Sequence, residues 1–252
     1  MLKKQREQEI ISLMRSGGGF AAVKELCRKL YVSESGIRRD LNELEKKGII
    51  HKVYGGAELV PNVRTIPSFS ERSHHNIEAK RQIAKKAKGL IHDGRILFLD
   101  QSSTCYYLAE AIADNATLTV VTNNIEILNL LSASPMRVIA SGGMISSENR
   151  NCLVGADARY IFENMYADMV FFSTKSLSDD GTISDCSREE VALRSAMLEH
   201  AQRKLFLCDN EKIGTCSPYV QTTLAKVDGW VCENEKECAA RFSPLFPSLT
   251  VY

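Results

Sequence analysis

The chain has 252 residues, which leaves room for one large domain or two smaller ones. With 44% hydrophobic and 25% charged residues it has the composition of an ordinary folded protein, which excludes disordered, collagen-like and disulfide-stapled chains. No apolar run approaches the ~18 residues that span a membrane, and the lysine-rich start lacks the apolar stretch of a signal peptide. We therefore expect a cytoplasmic protein without a membrane partner. The 8 cysteines form no C-x-x-C pair, which favours reduced thiols.

The net charge of +1 hides an uneven distribution along the chain. Residues 1–88 carry 19 Lys and Arg against 10 Asp and Glu, a net charge of +9. Residues 89–252 carry 13 against 21, a net charge of −8. A basic first part joined to an acidic remainder predicts a polyanionic partner for the first part only.

Apolar residues at helical spacing predict three helices and a β-wing within the first 56 residues. The helices are expected at Lys3–Arg15, Ala22–Tyr31 and Glu34–Lys47. Ser33 is a suitable N-cap for the third helix, and Gly48 is a suitable stop. A strand over Ile49–Val53, followed by a tight turn at residues 54–56, completes a winged helix-turn-helix.

The remainder of the chain has a different pattern. Residues 58–76 contain Pro61 and Pro67 and show no strong periodicity, so we predict a linker there. After a helix over residues 77–91, short apolar runs alternate with helical stretches, which predicts a larger α/β domain with a mostly parallel sheet. The expected strands are 96–99, 118–121, 137–140, 169–172, 204–207 and 229–231, and the expected helices lie near 105–113, 125–133, 157–165 and 188–202. The predicted domains are 1–57 for DNA binding, 58–76 as linker and 77–252 for effector sensing and oligomerisation.

The candidate DNA-binding residues lie on the third helix and the wing. In a helix-turn-helix, the amino-terminal half of the second helix of the pair enters the major groove. Arg38 and Arg39 lie on or beside its exposed face, where guanidinium groups can meet phosphates or guanine edges. The full candidate set is Ser33, Ser35, Gly36, Arg38, Arg39, Lys52 and Tyr54. The alternative is that these charges only solvate a surface helix.

Polar residues follow three successive predicted strands. A hydroxyl-rich turn after the first strand leads into a helix, and such a turn can bind an anion through free N–H groups, hydroxyls and the helix dipole. Ligands of open α/β sheets gather at the carboxyl ends of the strands. The candidate effector-binding residues at these strand ends are Asp100, Gln101, Ser102, Ser103, Thr104, Thr122, Asn123, Gly142 and Gly143. The alternative for the turn is that its hydroxyls only cap the helix.

Charged residues later in the chain extend this candidate site. We expect three cations to neutralise a phosphate and three carboxylates to accept sugar hydroxyls. The cations are Lys175, Arg194 and Lys212, and the carboxylates are Asp100, Glu190 and Asp209. Glu190 and Arg194 are one helical turn apart, so a plain surface ion pair is the alternative for them.

The stretch Val32–Leu44, together with the wing residues Tyr54–Ala57, resembles the DNA-binding signature of the DeoR family of bacterial transcriptional repressors. The likeness covers essentially the whole chain, because later motifs follow in family order. It implies a sensor domain whose fold is related to sugar-phosphate isomerases and CoA transferases. It also implies that a phosphorylated sugar or related metabolite binds this domain and controls DNA affinity, so we expect a repressor of sugar or carbohydrate metabolism genes.

Four positions depart from the family pattern. Gly36 stands where the family usually has Thr, and Ala22 stands where a Ser or Thr would cap the second helix. Arg194 replaces a lysine, and Glu211 replaces a serine. Arginine keeps the charge but prefers bidentate geometry, so the ligand of this chain cannot be inherited from the family.

The main alternative function is an active sugar-phosphate isomerase that carries a DNA-binding domain, with Asp100 or Glu190 as the base. The sequence has no metal-ligand cluster, no Ser/His/Asp order and no nucleotide-binding glycine loop, so we predict no catalytic residue, metal or cofactor. A third possibility is a nucleic-acid-binding protein whose second domain only oligomerises. We favour a ligand-controlled regulator that binds operator DNA as a dimer or tetramer.

Overall fold

The computed structural model describes residues 3–16, 19–46, 49–59 and 67–252. The chain divides into two compact units, Met1–Thr65 and Ile66–Tyr252. The first unit contains α1 (Lys3–Ser16), β1 (Phe20–Ala22), α2 (Val23–Leu30), α3 (Glu34–Lys46), β2 (Ile50–Val53) and β3 (Gly56–Leu59). Three predicted features lie outside the described residues. They are the helix end at Lys47, the helix stop at Gly48 and the linker proline Pro61.

The helices of the first unit pack around a small apolar core, because each carries apolar side chains on one face. That core includes Ile10, Met14, Leu26, Ile37, Leu41 and Leu44. α2 is shorter than predicted: it begins after Ala22 and ends at Leu30, and its C-cap Tyr31 has a left-handed φ of 54°. The residues just before it form β1, which pairs with β3 in a sheet of order β1-β3-β2. The predicted winged helix-turn-helix is confirmed, with one additional strand.

The second unit is built mainly from strands that alternate with helices. Its helices are α4 (Phe69–His74), α5 (Ile77–Lys88), α6 (Ser103–Ile112), α7 (Ile125–Leu131), α8 (Ala156–Glu163), α9 (Arg188–Glu199) and α10 (Glu235–Phe242). Its strands are β4 (Ile96–Leu99), β5 (Thr119–Thr122), β6 (Arg137–Ala140), β7 (Met144–Ile145), β8 (Leu153–Val154), β9 (Ala167–Phe172), β10 (Ser176–Leu177), β11 (Thr182–Asp185), β12 (Ala201–Leu207), β13 (Tyr219–Thr223), β14 (Gly229–Val231) and β15 (Thr250–Val251). Short 3-10 turns cover Asn210–Lys212 and Leu224–Lys226.

Seven parallel strands form the central sheet, in the order β15-β14-β12-β9-β4-β5-β6. Successive side chains of a strand point to opposite faces. Phe98 of β4 therefore packs in one buried cluster and its neighbours Leu97 and Leu99 in another. Apolar cores on both faces explain the continuous apolar runs, and the predicted α/β fold with a mostly parallel sheet is confirmed. The carboxyl ends of all seven strands meet at one edge, which places the polar residues that follow them together.

Several predicted boundaries differ from the structure. The helix expected over 188–202 ends at Glu199, because β12 starts at Ala201. The helix expected over 77–91 ends at Lys88. The antiparallel sheets β10-β11-β13 and β7-β8 are not predicted by the sequence pattern. β7, β8 and β10 have only two residues each, and β11 and β13 lack a continuous apolar run.

The segment 58–76, predicted as a linker, contains regular structure in its described part. Its first two residues are the end of β3, and residues Phe69–His74 form α4. Ser68 and Glu71 form a reciprocal capping box at the start of α4: the Ser68 Oγ accepts from the Glu71 N–H at 3.2 Å, and the Ser68 N–H donates to the Glu71 carboxylate at 2.8 Å. Residues 69–74, which the sequence pattern assigns to the linker, are therefore helical. Among the described residues, no helix has the length and apolar character needed to cross a membrane.

Candidate DNA interface and effector site

The start of α3 is organised by two serines. The Ser33 Oγ accepts a hydrogen bond from the Gly36 N–H at 3.3 Å and lies 3.2 Å from the Ser35 Oγ, so Ser33 caps the helix as expected. A Cβ added at Gly36 would lie 2.7 Å from the Val32 Cγ1. A side chain at position 36 therefore requires the Val32 side chain to move, which gives this chain a packing reason for glycine where the family usually has Thr.

The basic side chains of α3 and the wing are exposed, and three of them, Arg38, Lys46 and Lys52, have acidic partners. The Arg38 Nη2 lies 2.7 Å from the Glu34 carboxylate. The Lys52 Nζ lies 2.8 Å from the Asn42 Oδ1 and 2.9 Å from the Glu45 carboxylate. Exposed pairs of this kind contribute about 0–1 kcal/mol, so a phosphate or a base edge can displace them.

Arg39 and Tyr54 complete this surface. Arg39 lies on an open groove with Asn42, Lys46 and Lys52, and within the described part of the chain no ion pair involves it. Tyr54, in the turn of the wing, is fully exposed. Behind this surface, α3 is held to α1 by the buried Asp40 carboxylate, which accepts two hydrogen bonds from the Arg6 guanidinium.

In the second unit, the Asp100 carboxylate is buried at the carboxyl end of β4. It accepts hydrogen bonds from the Ser102 N–H at 3.0 Å, the Ser173 N–H at 3.1 Å and the Arg194 Nε at 2.9 Å. Asp100 thereby joins the turn after β4 to the end of β9. Both of its oxygens accept hydrogen bonds from protein groups. Asp100 therefore shapes the site and is not a free acceptor for a ligand.

Arg194 is buried within a ring of carboxylates. Besides Asp100, its guanidinium contacts the Asp185 carboxylate at 3.1 Å and the Gln221 Oε1 at 2.9 Å, and Glu190 lies 3.9 Å away. Burial lowers the pKa of Arg194, but these carboxylates raise it by more. This arrangement differs from the prediction: the guanidinium faces internal partners instead of a free phosphate position. The surface-pair alternative is excluded as well, because Glu190 and Arg194 are both buried.

Most hydroxyls at the start of α6 and at the end of β5 have hydrogen-bond partners within the protein. The Ser102 Oγ caps α6 by accepting from the Cys105 N–H at 3.1 Å, so the capping alternative describes Ser102 correctly. The Ser103 Oγ donates to the Arg72 carbonyl at 3.3 Å, and the Thr122 Oγ1 donates to the Leu99 carbonyl at 2.7 Å. Thr104, by contrast, is buried with a hydroxyl that contacts no partner.

Several buried polar atoms near this edge of the sheet lack a hydrogen-bond partner. Buried polar groups in folded proteins are nearly always paired, so each exception requires an explanation such as a bound ligand or water. In the second unit as described, these atoms include the Gln101 Oε1, the Thr104 Oγ1, the Asn123 Oδ1 and the Nε and Nη2 of Arg72. They comprise two amide oxygens, one hydroxyl oxygen and two nitrogens of one guanidinium.

Arg72 is a candidate site residue that the sequence pattern does not predict. It lies on α4, and its carbonyl accepts hydrogen bonds from the Ser103 Oγ and the Lys80 Nζ, which ties α4 to the turn before α6 and to α5. Burial and the neighbouring Asp185 raise the pKa of Glu190, while Arg72 opposes that rise, so its guanidinium lies within electrostatic range of this carboxylate. The capping box at Ser68 and Glu71 is the sequence signal that indicates a helix here.

A second cation approaches from the turn after β12. The Lys212 Nζ donates to the Ser173 Oγ at 2.8 Å and lies 3.4 Å from the Asp209 carboxylate. Burial lowers the pKa of Lys212, but Asp209, Cys208 and Asp185 together raise it by more. Burial, together with the charge of Lys212, lowers the pKa of Lys80 to about 8. Lys80, Asp209 and Lys212 thus form one cluster, and the sequence pattern does not predict Lys80.

The remaining predicted residues lie at the margin of this arrangement. Lys175 is exposed after β9. Gly142 and Gly143 have positive φ angles after β6, and a Cβ at Gly143 would lie 2.6 Å from the Val154 carbonyl oxygen. Glu211, in the turn after β12, pairs with His75 at 2.5 Å on the surface. Within the described residues, no group of three or more His, Cys, Asp or Glu side chains could hold a metal ion.

Two family models match the chain. Residues 6–63 match the DeoR-like helix-turn-helix domain, and residues 75–234 match the DeoR C terminal sensor domain. The chain is 33% identical to the HTH-type transcriptional regulator GolR of Listeria innocua, over 93% of this chain and 92% of that one. It is 32% identical to the L-fucose operon activator of Haemophilus influenzae, over 83% and 84%. It is 28% identical to the glycerol-3-phosphate regulon repressor of Escherichia coli, over 90% of each chain.

Solved structures resemble the chain more distantly. A ribose 5-phosphate isomerase A from Methanocaldococcus jannaschii superposes with a TM-score of 0.42 at 14% identity, over 55% of each chain. The eIF2B-beta2-delta2 complex from C. thermophilum gives a TM-score of 0.48 at 14% identity, over 81% of this chain and 63% of that one. The two family models and the regulators that match almost end to end identify the chain as a member of the DeoR family, a DNA-binding transcriptional regulator and not an enzyme.

Proposed function

We propose that this regulator binds operator DNA through α3 and the β2–β3 wing, and that a phosphorylated sugar or related metabolite controls that binding from the carboxyl edge of the parallel sheet. We propose the division predicted from the sequence, with residues 1–57 for DNA binding and residues 77–252 for sensing, and we add α4 to the sensing part. Arg72, which we assign to the effector site, is the reason for that addition.

The DNA-binding proposal rests on the exposed cations of the first unit. Arg38 and Arg39 occupy the first half of α3, and Lys52 and Tyr54 extend from the wing. The acidic partners of Arg38 and Lys52 are exposed, so they hold these side chains in place without burying them. We propose that the two arginines contact base edges or phosphates and that the wing contacts the phosphate backbone.

The effector proposal rests mainly on one observation, the guanidinium of Arg72, whose Nε and Nη2 are buried without a hydrogen-bond partner. Such a group favours an anion with two oxygens in one plane, as in a phosphate or carboxylate. The unpartnered amide oxygens of Gln101 and Asn123 require hydrogen-bond donors, which the hydroxyls of a sugar or polyol supply, and the Thr104 hydroxyl can either donate or accept. The Lys212–Asp209 pair offers a second cation and a further acceptor.

The names of the relatives support this ligand class. One is a glycerol-3-phosphate regulon repressor, and another, 33% identical, is a lactose phosphotransferase system repressor of Staphylococcus epidermidis. A third relative is the L-fucose operon activator, so these relatives include both repressors and an activator. We propose that this chain represses genes of carbohydrate metabolism as a dimer or tetramer that places two recognition helices about one helical turn of DNA apart, or a multiple of it.

Replacing Arg72 by alanine tests the effector proposal. A hydrogen bond to a charged group contributes about 1.5–3 kcal/mol, so Arg72→Ala should weaken binding of a sugar phosphate by roughly 10- to 100-fold. Isothermal titration with the tightest ligand of a sugar-phosphate panel measures this loss. Lys85→Ala, which removes an exposed cation of α5, is the matched control and should bind like the wild type. Equal affinities for Arg72→Ala and the wild type would remove Arg72 from the site.

A further inference from the structure

The Glu190 carboxylate holds two side-chain amides in fixed orientations. Its Oε2 accepts a hydrogen bond from the Gln101 Nε2 at 2.8 Å, and its Oε1 accepts one from the Asn149 Nδ2 at 2.8 Å. All three side chains that make these contacts belong to buried residues. Burial and Asp185 raise the pKa of Glu190, and Arg72, Arg194 and the hydrogen bond from Asn149 oppose that rise. Both oxygens of Glu190 accept from an amide N–H, which is the hydrogen-bond pattern of an ionised carboxylate, a group that can only accept.

This contact decides which atom of Gln101 faces the site. An amide carries its donor and its acceptor on opposite branches, so a Gln101 nitrogen that faces Glu190 leaves the oxygen facing away. The Gln101 Oε1 is the buried, unpartnered oxygen described above. Rotating the amide by half a turn would place two oxygens against each other, which is unfavourable beside an ionised carboxylate.

Asn123, on the neighbouring strand end, has the same arrangement. Its Nδ2 donates to the Leu153 carbonyl at 3.1 Å, and its Oδ1 is buried without a partner. β4 and β5 are adjacent and parallel, so Gln101 and Asn123 follow neighbouring strands at the same edge of the sheet. Two amides whose nitrogens are engaged inside the protein thus present two acceptor oxygens to the same region.

We propose that Glu190 is a positioning residue that presents the Gln101 oxygen to a hydroxyl of the effector and thereby makes the site selective for hydroxylated phosphate esters over phosphate alone. This inference rests on the proposed function, since it assumes that the effector site lies at this edge of the sheet. Arg72 binds the anion, whereas Gln101 and Asn123 accept hydrogen bonds from the hydroxyls. Glu190 itself does not contact the ligand.

The quantity that tests the proposal is a ratio of affinities. Glycerol 3-phosphate, ribose 5-phosphate, fructose 1-phosphate, fructose 6-phosphate and glucose 6-phosphate are titrated into the full-length protein, and the tightest binder is compared with inorganic phosphate. Gln101→Leu removes the acceptor. Glu190→Gln leaves the size unchanged but offers an N–H to Gln101, whose amide is then free to turn its nitrogen toward the ligand.

A reciprocal exchange separates orientation from packing. In the double variant Glu190→Gln/Gln101→Glu, the new carboxylate accepts the N–H of the new amide with one oxygen and presents its other oxygen to the ligand. The oxygen of the new amide remains available to accept from Asn149. The charge and the number of atoms are unchanged, so this variant should recover the selectivity that the Glu190→Gln variant loses.

We expect Gln101→Leu and Glu190→Gln to lower the ester-to-phosphate affinity ratio by roughly 10-fold, with the double variant within about 3-fold of the wild type. Thermal melting of each variant checks its folding. An unchanged ratio in both single variants, or a double variant no better than Glu190→Gln, would overturn the positioning role while leaving the proposed effector intact. Failure of every ester to bind the wild type would overturn the proposed function together with this inference.

Discussion

Replacing Arg194 by methionine should lower the free energy of unfolding of the second unit by about 3–5 kcal/mol, the usual cost of removing one partner from a buried charge network. The guanidinium is almost completely buried and contacts Asp100 at 2.9 Å and Asp185 at 3.1 Å. Methionine fills much of the same volume but leaves both carboxylates buried without their cation. Urea denaturation, followed by the fluorescence of Trp230 in the core of this unit, measures the loss.

A surface arginine provides the control for this prediction. Arg241 pairs with Asp179, and both side chains are largely exposed. Exposed pairs contribute about 0–1 kcal/mol, so Arg241→Met should change the urea midpoint little. Similar midpoints for Arg194→Met and Arg241→Met would contradict the interpretation of Arg194 as the cation that neutralises this buried cluster.

The second large effect concerns DNA. Replacing Arg38 and Arg39 together by alanine should abolish specific operator binding, because a bidentate arginine–guanine contact contributes about 1–3 kcal/mol and two of them are lost. The expected loss of affinity is at least about 30-fold. Mobility shift of a duplex that the wild type selects from a random library measures it, and the slope of affinity against salt reports how many phosphate contacts are lost.

Two comparisons make this DNA result specific. Lys29→Ala removes a cation that pairs with Glu25 on α2 and should leave operator affinity nearly unchanged. The Arg38→Ala/Arg39→Ala variant should bind the sugar phosphate like the wild type, because both substitutions lie in the first unit. If the double variant still binds the operator, the start of α3 is not the recognition surface. If the double variant loses both operator binding and ligand binding, it is misfolded.

The elements that could be predicted from the sequence are those with local signals. Ile37, Leu41 and Leu44 repeat at helical spacing, and they form the buried face of α3. The strand bounds predicted at 96–99, 137–140 and 229–231 agree with the structure, because polar or glycine-containing turns flank each apolar run. Parallel strand ends also bring Gln101 and Asn123 to one edge, as the alternating pattern predicts.

The roles that could not be predicted depend on partners far along the chain. Arg194 has the spacing of a helical pair with Glu190, and nothing local indicates that Asp185 and Gln221 also surround it. Arg72 lies in a helix of six residues within a segment that contains prolines, so periodicity gives no signal there. The orientation of Gln101 depends on Glu190, which is 89 residues away in sequence.

The most direct test of the account combines both units in one titration. Fluorescence anisotropy follows the complex of the full-length protein with its selected duplex while each sugar phosphate of the panel is added. We predict that at least one ester shifts the operator affinity of the wild type by roughly 5- to 150-fold, that it is recovered chemically unaltered, and that Arg72→Ala does not respond at the same concentration. An operator affinity that no ester changes, or a responding ester that is converted to another compound, would contradict a metabolite-controlled regulator.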